Sequence, residues 1–558
     1  MCSKTSTANV ARHLRVAALA NPDFCAVRVP DGNAPDGSIR YIERSFAGLD
    51  RESDAAAALF ARRGIGAGTR TLLLARPGLD LILSMFALLK LGAVPIAIDP
   101  GMGVRAFLRC VRNTRPEALT GTTAALALTR FFPWTFRSVH TRVRIGTAGF
   151  EAALRSEAAA LPASGRPLFE AAGDTPAAIL FTSGSTGAPK GVRYTHGMLD
   201  AQLALVRDNY GICPGEVDLP MLPVFALFNP ALGTTTVTPE MDPSRPASAD
   251  PVKIIRAIVQ NQVTYSFGSP ALWAKIARHC EPAALTLPSL RRVLIAGAPV
   301  PIRLLRSLRT LLPNAEIHTP YGATEVLPVA SISGTEVLDS TWRETLLGRG
   351  TCVGKPLSGV RVAIIPVNDG PIASLEDAGQ CAMDEVGEII VQSASCTLEY
   401  DNNPEATKLA KIRDATGAVW HRMGDLGRLD GHGRLWFYGR KAERVMTPGG
   451  PLYTESCEAV FNAHPRVFRT ALIGLGAPGA QEPALIVEPL PDALPRHAGE
   501  RARFEAELLE LGNAVPVTRG IQRFFFEKKF PVDVRHNAKI HRLTLRRKYE
   551  RALHIFIA

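Results

Sequence analysis

The chain has 558 residues, of which 46% are hydrophobic and 21% are charged, and its formal net charge is +12 at pH 7. Domains usually hold about 100 to 200 residues, so this length predicts a large body and at least one smaller appendage. The composition is that of an ordinary globular protein and excludes a disordered or fibrous one. Nine scattered cysteines without a C-x-x-C pair predict reduced thiols.

No segment of the sequence predicts export or membrane insertion. The N-terminal stretch lacks an uninterrupted apolar run long enough for a signal peptide. The best apolar window, residues 81–98, is broken by Lys90 and Pro95, well short of the roughly 20 residues that a span requires. We therefore expect a cytoplasmic protein without a transmembrane helix.

Positive charge gathers in the last forty residues of the chain. The basic residues of this tail are Arg519, Arg523, Lys528, Lys529, Arg535, Lys539, Arg542, Arg546, Arg547, Lys548 and Arg551. Such a run is typical of a solvated helix face, or of a surface that meets an anionic ligand, a membrane or nucleic acid.

Alternating strand and helix patterns run through the first 350 residues. Residues 71–103 read as a βαβ unit, and short apolar runs recur at 177–184, 263–270 and 291–299, with a helical pattern at 251–262. This alternation predicts an α/β fold with a mostly parallel sheet and helices on both faces.

The pattern changes twice towards the C-terminus. After about residue 350, short strands and turns predict antiparallel pairing, and after Gly439 a charged helix, a strand pair and the basic tail follow. We place a boundary near 439–442, which predicts domains at 1–439 and 440–558. Residues 474–479 fit G-x-G-x-x-G, but the prolines and the strand that follow predict a strand-to-strand loop.

The strongest local signal is the run Phe181-Thr-Ser-Gly-Ser-Thr-Gly-Ala-Pro-Lys-Gly191. Backbone N–H and hydroxyl groups of such a loop close around phosphate oxygens, and a lysine adds positive charge. Pro189 replaces the glycine that a Walker loop needs before its lysine. The phosphate-binding candidates are Thr182, Ser183, Gly184, Ser185, Thr186, Gly187 and Lys190.

The run TSGSTGAPKG resembles the signature of the ANL superfamily of acyl-CoA synthetases, peptide-synthetase adenylation domains and luciferases. The resemblance implies an ATP- and Mg²⁺-dependent ligase that forms an acyl-AMP. It also implies a large N-terminal adenylation domain, with two doubly wound α/β subdomains and a small distorted β-barrel. A small mobile α+β domain would follow it.

Further motifs match in order along the chain, and the resemblance assigns them roles. Tyr321 and Gly322 would contact adenine, Thr324 the phosphate and Glu325 the Mg²⁺ ion. Gly297, Ala298 and Pro299 resemble the turn of the adenine pocket. Asp425 would hold the ribose hydroxyls, Arg440 ribose or phosphate, and Lys539 the phosphorus centre as the carboxylate attacks ATP.

Several positions depart from the pattern of members that transfer the acyl group to coenzyme A. Ala226 stands where such members often carry a histidine, and Ala442 lacks the polar hinge side chain. Residues 454–458 replace P-x-E-I-E, and Ala538 replaces the glycine before the lysine. These changes favour an acceptor other than coenzyme A.

The runs YGATEVLPVA, PGGPLYTESCE and VDVRHNAKIHR resemble the β-lactone synthetases of bacterial long-chain olefin biosynthesis, the OleC type. That resemblance implies a long-chain 2-alkyl-3-hydroxyalkanoic acid as substrate, whose own hydroxyl closes the lactone. It is compatible with an assembly with the pathway's reductase and β-lactone decarboxylase, and it implies no nucleic acid partner. The base for closure stays open, and His196 near the phosphate loop is expected to be structural.

Two alternatives remain open from the sequence. A long-chain acyl-CoA or acyl-carrier-protein ligase shares the first half-reaction and differs only in the acceptor. A non-catalytic protein that binds a membrane or nucleic acid through its basic tail would not need Glu325, Asp425, Arg440 and Lys539 together.

Overall fold

The computed structural model describes residues 7–181, 188–242, 245–533 and 539–557. Within these ranges, no helix combines the length and the apolar character that crossing a membrane requires. Every cysteine of the described chain is a free thiol, as predicted.

The first part of the chain builds an α/β layer. Its elements are α1 (Arg12–Ala20), β1 (Cys25–Asn33), β2 (Ile39–Ser45), α2 (Phe46–Arg62), β3 (Arg70–Leu74), α3 (Leu79–Lys90), β4 (Val94–Ala97), α4 (Val104–Thr114), β5 (Ala118–Gly121), α5 (Thr123–Phe131), β6 (Thr141–Arg144), α6 (Ala148–Ala160), β7 (Pro176–Phe181) and β8 (Gly191–Thr195). The βαβ unit predicted at 71–103 is confirmed by β3, α3 and β4. Helix α3 is mostly apolar and is buried from Ile82 to Lys90, as expected for a helix packed between neighbouring elements.

These strands form the first sheet, in the order β6-β5-β3-β4-β7-β8. Its pairs are parallel except β7 with β8. Side-chain oxygens cap the helices that cover it: Thr122 accepts from Ala125 N at the start of α5, and Thr147 accepts from Phe150 N at the start of α6.

The middle of the chain supplies a second run of alternating elements. They are α7 (His196–Tyr210), β9 (Val217–Asp218), α8 (Asn229–Leu232), β10 (Thr235–Val237), α9 (Pro251–Gln260), β11 (Tyr265–Gly268), α10 (Pro270–Cys280), β12 (Arg292–Ile295), α11 (Ile302–Leu311), β13 (Glu316–Ala323), β14 (Val326–Ser333), α12 (Gly334–Glu336) and α13 (Trp342–Leu346). The strands predicted at 263–270 and 291–299 are β11 and β12, and the helix predicted at 251–262 is α9.

Short antiparallel strands follow, as predicted for the chain after residue 350. The elements are β15 (Thr351–Pro356), β16 (Val360–Ile365), α14 (Leu375–Ala378), β17 (Gly387–Ser393), α15 (Pro404–Ala410), β18 (Lys411–Arg413), β19 (Val419–Leu429) and β20 (Leu435–Arg440). They join the middle strands in the second sheet, of order β16-β17-β19-β20-β15-β14-β13-β12-β11-β9-β10-β1-β2, with β18 paired to β19. Pairing changes from parallel to antiparallel at β13, which carries Tyr321.

The last segment forms two smaller sheets. Its elements are β21 (Val445–Thr447), β22 (Gly450–Leu452), α16 (Thr454–Asn462), β23 (Val467–Leu475), β24 (Glu482–Pro489), α17 (Ala498–Ala514), β25 (Arg523–Phe526) and α18 (Arg542–Ile557). Strands β23 and β24 are antiparallel, so residues 474–479 reach into a strand-to-strand loop, as predicted. The domain boundary at 439–440 stays a prediction.

Short helical turns connect these elements. The 3-10 turns are Pro100–Met102, Pro223–Leu227, Pro246–Ser248, Glu281–Ala283, Lys441–Glu443, Pro491–Ala493 and Pro516–Thr518, and a π-helical turn spans Val337–Thr341. Separate apolar clusters pack against the two faces of the first sheet, the helices of the second sheet and the last segment.

Candidate functional site

Tyr321, Asp425 and Arg440 meet where the parallel and antiparallel parts of the second sheet join. In the ladder between β19 and β20, Asp425 stands opposite Arg440. The Tyr321 hydroxyl donates to Asp425 Oδ2 over 2.6 Å, and Arg440 Nη1 lies 2.9 Å from Asp425 Oδ1. Three residues that are predicted to bind nucleotide and lie up to 119 positions apart in the sequence thus form one group.

The carboxylate of Asp425 is buried, and one of its oxygens lacks a hydrogen-bond donor within the described residues. The Arg440 N–H group does not point at Oδ1, so among the described residues this buried oxygen accepts no hydrogen bond. Burial raises the pKa of Asp425, whereas the charge of Arg440, the hydrogen bond from Tyr321 and the charge of Lys539 lower it. Hydroxyl groups of a ribose would supply the missing donors.

Glu325 lies just beyond the turn that follows Tyr321, and two tyrosines fix this turn. Tyr400 donates its hydroxyl to Glu325 Oε1 over 2.5 Å, and the Tyr194 hydroxyl donates to the carbonyl oxygen of Thr324. Burial and the charge of Glu325 raise the pKa values of both tyrosines. Both tyrosines therefore stay protonated donors: Tyr400 orients the Glu325 carboxylate, and Tyr194 holds the backbone of the turn before it.

The residues around Glu325 fit a magnesium ion bound together with nucleotide. Mg²⁺ usually takes one or two carboxylates and completes its shell with substrate phosphates and water. Glu325 supplies one nearly buried carboxylate. Across the described residues, no group of three or more His, Cys, Asp or Glu side chains is placed to hold a metal ion alone. An all-protein metal cage therefore does not exist in this part of the chain.

The strands on either side of the predicted phosphate loop place its flanking residues beside Tyr400 and Asp401. Phe181 and Gly191 pair directly across β7 and β8, and the carbonyl oxygen of Gly191 accepts from Asp401 N over 2.7 Å. Lys190 Nζ lies 4.7 Å from the centre of the Tyr400 ring. The predicted residues Thr182, Ser183, Gly184, Ser185, Thr186 and Gly187 lie outside the described residues.

The predicted adenine turn follows the end of β12, next to β13. Gly297 has a φ of +98°, a backbone conformation that side-chain-bearing residues rarely adopt. Ala298 is half-buried and Pro299 is exposed. A Cβ atom on Gly322 would lie 2.9 Å from the carbonyl oxygen of Val326, so only glycine permits the tight turn beyond Tyr321.

Lys539 lies between β25 and α18, where its backbone pairs with that of Asp533. Its carbonyl oxygen accepts from Asp533 N over 2.9 Å, and Val532 bridges to Ile540. The charge of Lys539 is one of the causes that lower the pKa of Asp425, which indicates that this lysine lies within electrostatic range of the Asp425 carboxylate. The structure thus brings Lys539 towards Asp425, more than a hundred residues away in sequence.

An ion-pair cluster behind Lys539 was not predicted from the sequence. Arg542 donates to Glu458 over 2.7 and 2.6 Å and to Glu443 Oε2 over 3.0 Å. Glu443 follows Arg440 by three residues, and Arg542 follows Lys539 by three. The cluster therefore connects the two segments that carry predicted nucleotide contacts. The signal in the sequence was the retained carboxylate at Glu458, at the end of the altered 454–458 motif.

An apolar cavity opens beside this site, between α7, the 3-10 turn at Pro223–Leu227 and strands of the second sheet. Its interior is narrow, about 30 Å³, and is lined by Gln202, Val206, Tyr210, Ile212, Asp218, Phe225, Phe228, Asn229, Leu232, Tyr265, Phe267, Leu294, Pro320, Leu327 and Pro328. Pro320 and Leu327 flank the Tyr321 to Glu325 turn. The Phe225 ring stacks on Phe267 with 3.5 Å between ring centres.

The far end of this cavity holds buried polar groups. Asn229 Nδ2 donates to Asp218 Oδ2 over 2.8 Å, and the Tyr265 hydroxyl donates to Asn229 Oδ1 over 3.1 Å. Burial raises the pKa of Asp218 to about 8. Asp218 pairs in register with Tyr265 at the start of β11, whereas Tyr321 lies at the opposite ends of the parallel strands. Asp218 is therefore remote from the nucleotide group.

His196 and Ala226 take structural positions. His196 is fully buried, its Nδ1 accepts from Val10 N over 3.2 Å, and burial lowers its pKa to about 4. The ring is thus neutral and used in packing, as expected. Ala226 is buried in the 3-10 turn against the apolar core.

The fold and the site agree with what comparison with known proteins shows. The family model of the AMP-binding enzymes matches residues 16–401, and the chain belongs to this family of adenylate-forming proteins. The superfamily resemblance and the fold class predicted from the sequence are thereby confirmed. The MatB structure from Rhodopseudomonas palustris, solved with bound ATP, shares the fold, with a TM-score of 0.77 at 20% identity over 98% of this chain and 99% of that one.

Within the family, the chain is similar along nearly its whole length to two olefin beta-lactone synthetases. The protein of Xanthomonas campestris pv. campestris is 45% identical over 552 residues, which cover 97% of each chain. The protein of Stenotrophomonas maltophilia is 46% identical over 548 residues, 96% of this chain and 97% of that one.

Proposed function

We propose that this protein is an AMP-forming ligase that uses ATP to convert a long-chain 2-alkyl-3-hydroxyalkanoic acid into a β-lactone, AMP and diphosphate. The observation that carries the proposal is the convergence of Tyr321, Asp425 and Arg440, with Glu325 nearby, beside an apolar cavity. The near full-length similarity to two olefin beta-lactone synthetases supports the same conclusion.

The nucleotide would be held by an acidic side chain at the ribose, an aromatic ring at the base and basic side chains at the phosphates. Asp425 Oδ1, a buried acceptor, takes the ribose hydroxyls, and the Tyr321 ring stacks on adenine beside residues 297–299. Lys190 and the 182–187 loop take the phosphates. Lys539 and Arg440 would stabilise the negative charge that develops on the phosphate in the transition state. Such electrostatic stabilisation is usually the largest single contribution to catalysis.

Glu325 would hold the magnesium ion that accompanies ATP. When bound, that ion neutralises phosphate charge. The chain itself orients the Glu325 carboxylate, because the Tyr400 hydroxyl donates a hydrogen bond to Oε1.

The acid would place its carboxylate at the Tyr321 to Glu325 turn and an alkyl chain in the apolar cavity. Carboxylate oxygen attacks the α-phosphorus of ATP, the bond to the bridging oxygen breaks, and diphosphate leaves. The substrate's 3-hydroxyl oxygen then attacks the acyl carbon, the bond to AMP breaks, and the hydroxyl proton passes to the medium.

An internal nucleophile removes the need for a thiol acceptor. A hydroxyl tethered two carbons from the acyl carbon has a high effective concentration, and AMP is a good leaving group. Ala226, at the position where thioester-forming members often carry a histidine, is buried in the wall beside the cavity. This arrangement supports lactone closure rather than transfer to coenzyme A.

Further parts of the proposal concern the setting of the enzyme. We propose that residues 440–558 act as a mobile lid that carries Lys539. We also propose a cytoplasmic location and an assembly with the pathway's reductase and β-lactone decarboxylase.

The test supplies purified protein with ATP and a 2-alkyl-3-hydroxy acid, with and without coenzyme A. We expect β-lactone, AMP and diphosphate in both cases. Thioester formed only after addition of coenzyme A, without any lactone, would instead support the acyl-CoA ligase. Absence of ATP–diphosphate exchange would support the binding protein.

A further inference from the structure

Residues 104–144 carry an unusual excess of positive charge. The segment contains one carboxylate residue, Glu117, and no lysine or aspartate. Its eight arginines are Arg105, Arg109, Arg112, Arg115, Arg130, Arg137, Arg142 and Arg144. All eight are exposed, and in the ranges that the structure describes none of them forms a salt bridge. Ion pairing within the protein therefore does not account for this charge.

The elements that carry these arginines lie on one side of the first sheet. Phe107 and Val111 of α4 pack in one apolar cluster with Leu119 of β5, and Phe136, beyond α5, joins the same cluster. The outward faces of α4 and of the chain after α5 therefore look the same way.

The edge strand β6 adds to the same side. Val143 belongs to the cluster on the opposite face of the sheet. Since successive side chains of a strand alternate between faces, Arg142 and Arg144 point to the side that carries α4 and α5. Arginines from two helices, a loop and a strand thus converge on one surface, which we call the arginine face.

Apolar side chains project from the arginine face. Trp134 is 83% exposed, Phe131 75% and Val104 63%. Trp134 and Phe131 belong to the run Arg130-Phe-Phe-Pro-Trp-Thr-Phe-Arg137, so arginines flank the two aromatic rings in sequence. Single exposed apolar residues are ordinary, but two large aromatic rings three positions apart, with arginines on both sides, have the character of an apolar patch rimmed by polar residues, which marks an interaction site.

We propose that the arginine face binds the surface of an anionic phospholipid bilayer. Arginine pairs with phosphate through two parallel hydrogen bonds, and tryptophan prefers the boundary between headgroups and acyl chains. Anionic lipids spread negative charge over the whole bilayer surface. Eight arginines dispersed over one face suit such an extended surface better than they suit a single small anion. Bases of single-stranded RNA need an aromatic floor inside a groove, whereas Trp134 projects outwards.

A bilayer also fits the chemistry of the molecules that this enzyme would handle. An acid with two long alkyl chains partitions into membranes, because each buried methylene adds to its transfer free energy. Docking through the arginine face would keep the enzyme where such acids collect. The proposal does not depend on the reaction, since binding to vesicles is measured without substrate.

The experiment is co-sedimentation of the full chain with vesicles of phosphatidylcholine alone or mixed with phosphatidylglycerol. Wild-type protein is expected to bind the mixed vesicles and not the neutral ones. Two variants should each bind at least about tenfold more weakly. One carries Arg105→Gln, Arg109→Gln and Arg112→Gln, and the other carries Phe131→Ser and Trp134→Ser. Unchanged ATP–diphosphate exchange would show that both variants remain folded.

The matched control removes the same charge from the last segment, with Arg496→Gln, Arg503→Gln and Arg547→Gln. These exposed residues lie outside residues 104–144 and belong to other elements of the chain, and their loss should weaken binding much less. An equal loss in the control would assign binding to net charge or to the basic tail and overturn the proposal. No binding by wild-type protein, or equal affinity for an RNA oligonucleotide, would overturn it as well.

Depth of insertion gives a second readout. Phospholipids with brominated acyl chains should quench the fluorescence of the wild-type protein, and Trp134→Phe should remove most of that quenching. Equal quenching of both proteins would show that Trp134 does not enter the bilayer and would contradict the proposal.

Discussion

Arg542 donates hydrogen bonds to both carboxylate oxygens of Glu458, from Nε to Oε1 over 2.7 Å and from Nη2 to Oε2 over 2.6 Å. Glu458 lies in α16, and its Oε1 also accepts from Leu472 N in β23 over 2.8 Å. This pair fixes the start of α18 against the body of the last segment. Since Lys539 precedes Arg542 by three residues, its position depends on the same pair.

Replacing Arg542 by alanine should cost both stability and activity. Burial raises the pKa of Glu458, and the charge of Arg542 opposes that rise. Removing one partner of a buried ion pair typically costs about 3 to 5 kcal/mol, because the other charge stays buried. Urea unfolding should show this loss, and Arg542→Lys should show a smaller one.

The positioning role is tested by kinetics on the folded variant. We expect Arg542→Lys to lower kcat for adenylate formation with little change in KM for ATP, because Lys539 would be misplaced and not lost. Arg547→Gln, an exposed neighbour on α18, is the control and should change neither parameter. A normal kcat in Arg542→Lys would show that the pair is structural only.

Lys539→Ala should slow adenylate formation about 100- to 1,000-fold and leave the fold intact. The lysine charge is the one that approaches Asp425 from the last segment. Loss of one preorganised charge at a transition state typically costs about 100- to 1,000-fold in rate. ATP–diphosphate exchange measures the effect, and Lys529→Ala in the exposed chain nearby is the control. A wild-type exchange rate in Lys539→Ala would refute its assignment.

Asp425 and Tyr321 should affect ATP binding to different degrees. Asp425→Ala removes the acceptor for ribose and leaves Arg440 without its partner, so we expect KM for ATP to rise about 10- to 100-fold. Tyr321→Phe removes only the hydrogen bond to Asp425 and keeps the ring, so a rise of about fivefold is expected. Equal effects of the two changes would place the ribose elsewhere.

Asp218 should make stability depend on pH. Burial raises its pKa to about 8 in the folded chain, against an ordinary value of 3.8 for an exposed aspartate. The folded state therefore binds the extra proton between these values, and stability falls as pH rises from about 4 to 8. Asp218→Asn keeps an acceptor for Asn229 and carries no charge.

Urea unfolding across this pH range measures the difference between the two proteins. The Asp218→Asn variant should gain stability relative to wild type as pH rises, and the two should converge near pH 4. Parallel curves for both proteins would show that Asp218 is ionised in the folded chain at every pH tested.

The sequence predicted the fold through local patterns, and these predictions were accurate. The βαβ unit at 71–103 and the strands β11 and β12 depend on periodicity within a few residues, which the sequence displays directly. The nucleotide residues were predicted from short motifs. Their meeting was not derivable, because the Tyr321 to Asp425 contact spans 104 positions and needs the register of the whole second sheet.

Other features could not be predicted because no motif marks them. The contact between Arg542 and Glu458 spans 84 positions, and the basic tail around Arg542 looks like a solvated helix face. The buried Asp218 belongs to none of the motifs that the sequence displays. The arginine face joins separate elements, and only the alternation around Val143 shows that they share one side.

The central claim is that the substrate's own hydroxyl accepts the acyl group. The most direct measurement is mass identification of the product formed from ATP and a racemic 2-alkyl-3-hydroxy acid, with AMP and diphosphate quantified in the same reaction. Our account predicts a β-lactone formed without coenzyme A, in equal amounts with AMP and diphosphate. AMP and diphosphate without lactone, together with a thioester once coenzyme A is added, would contradict it.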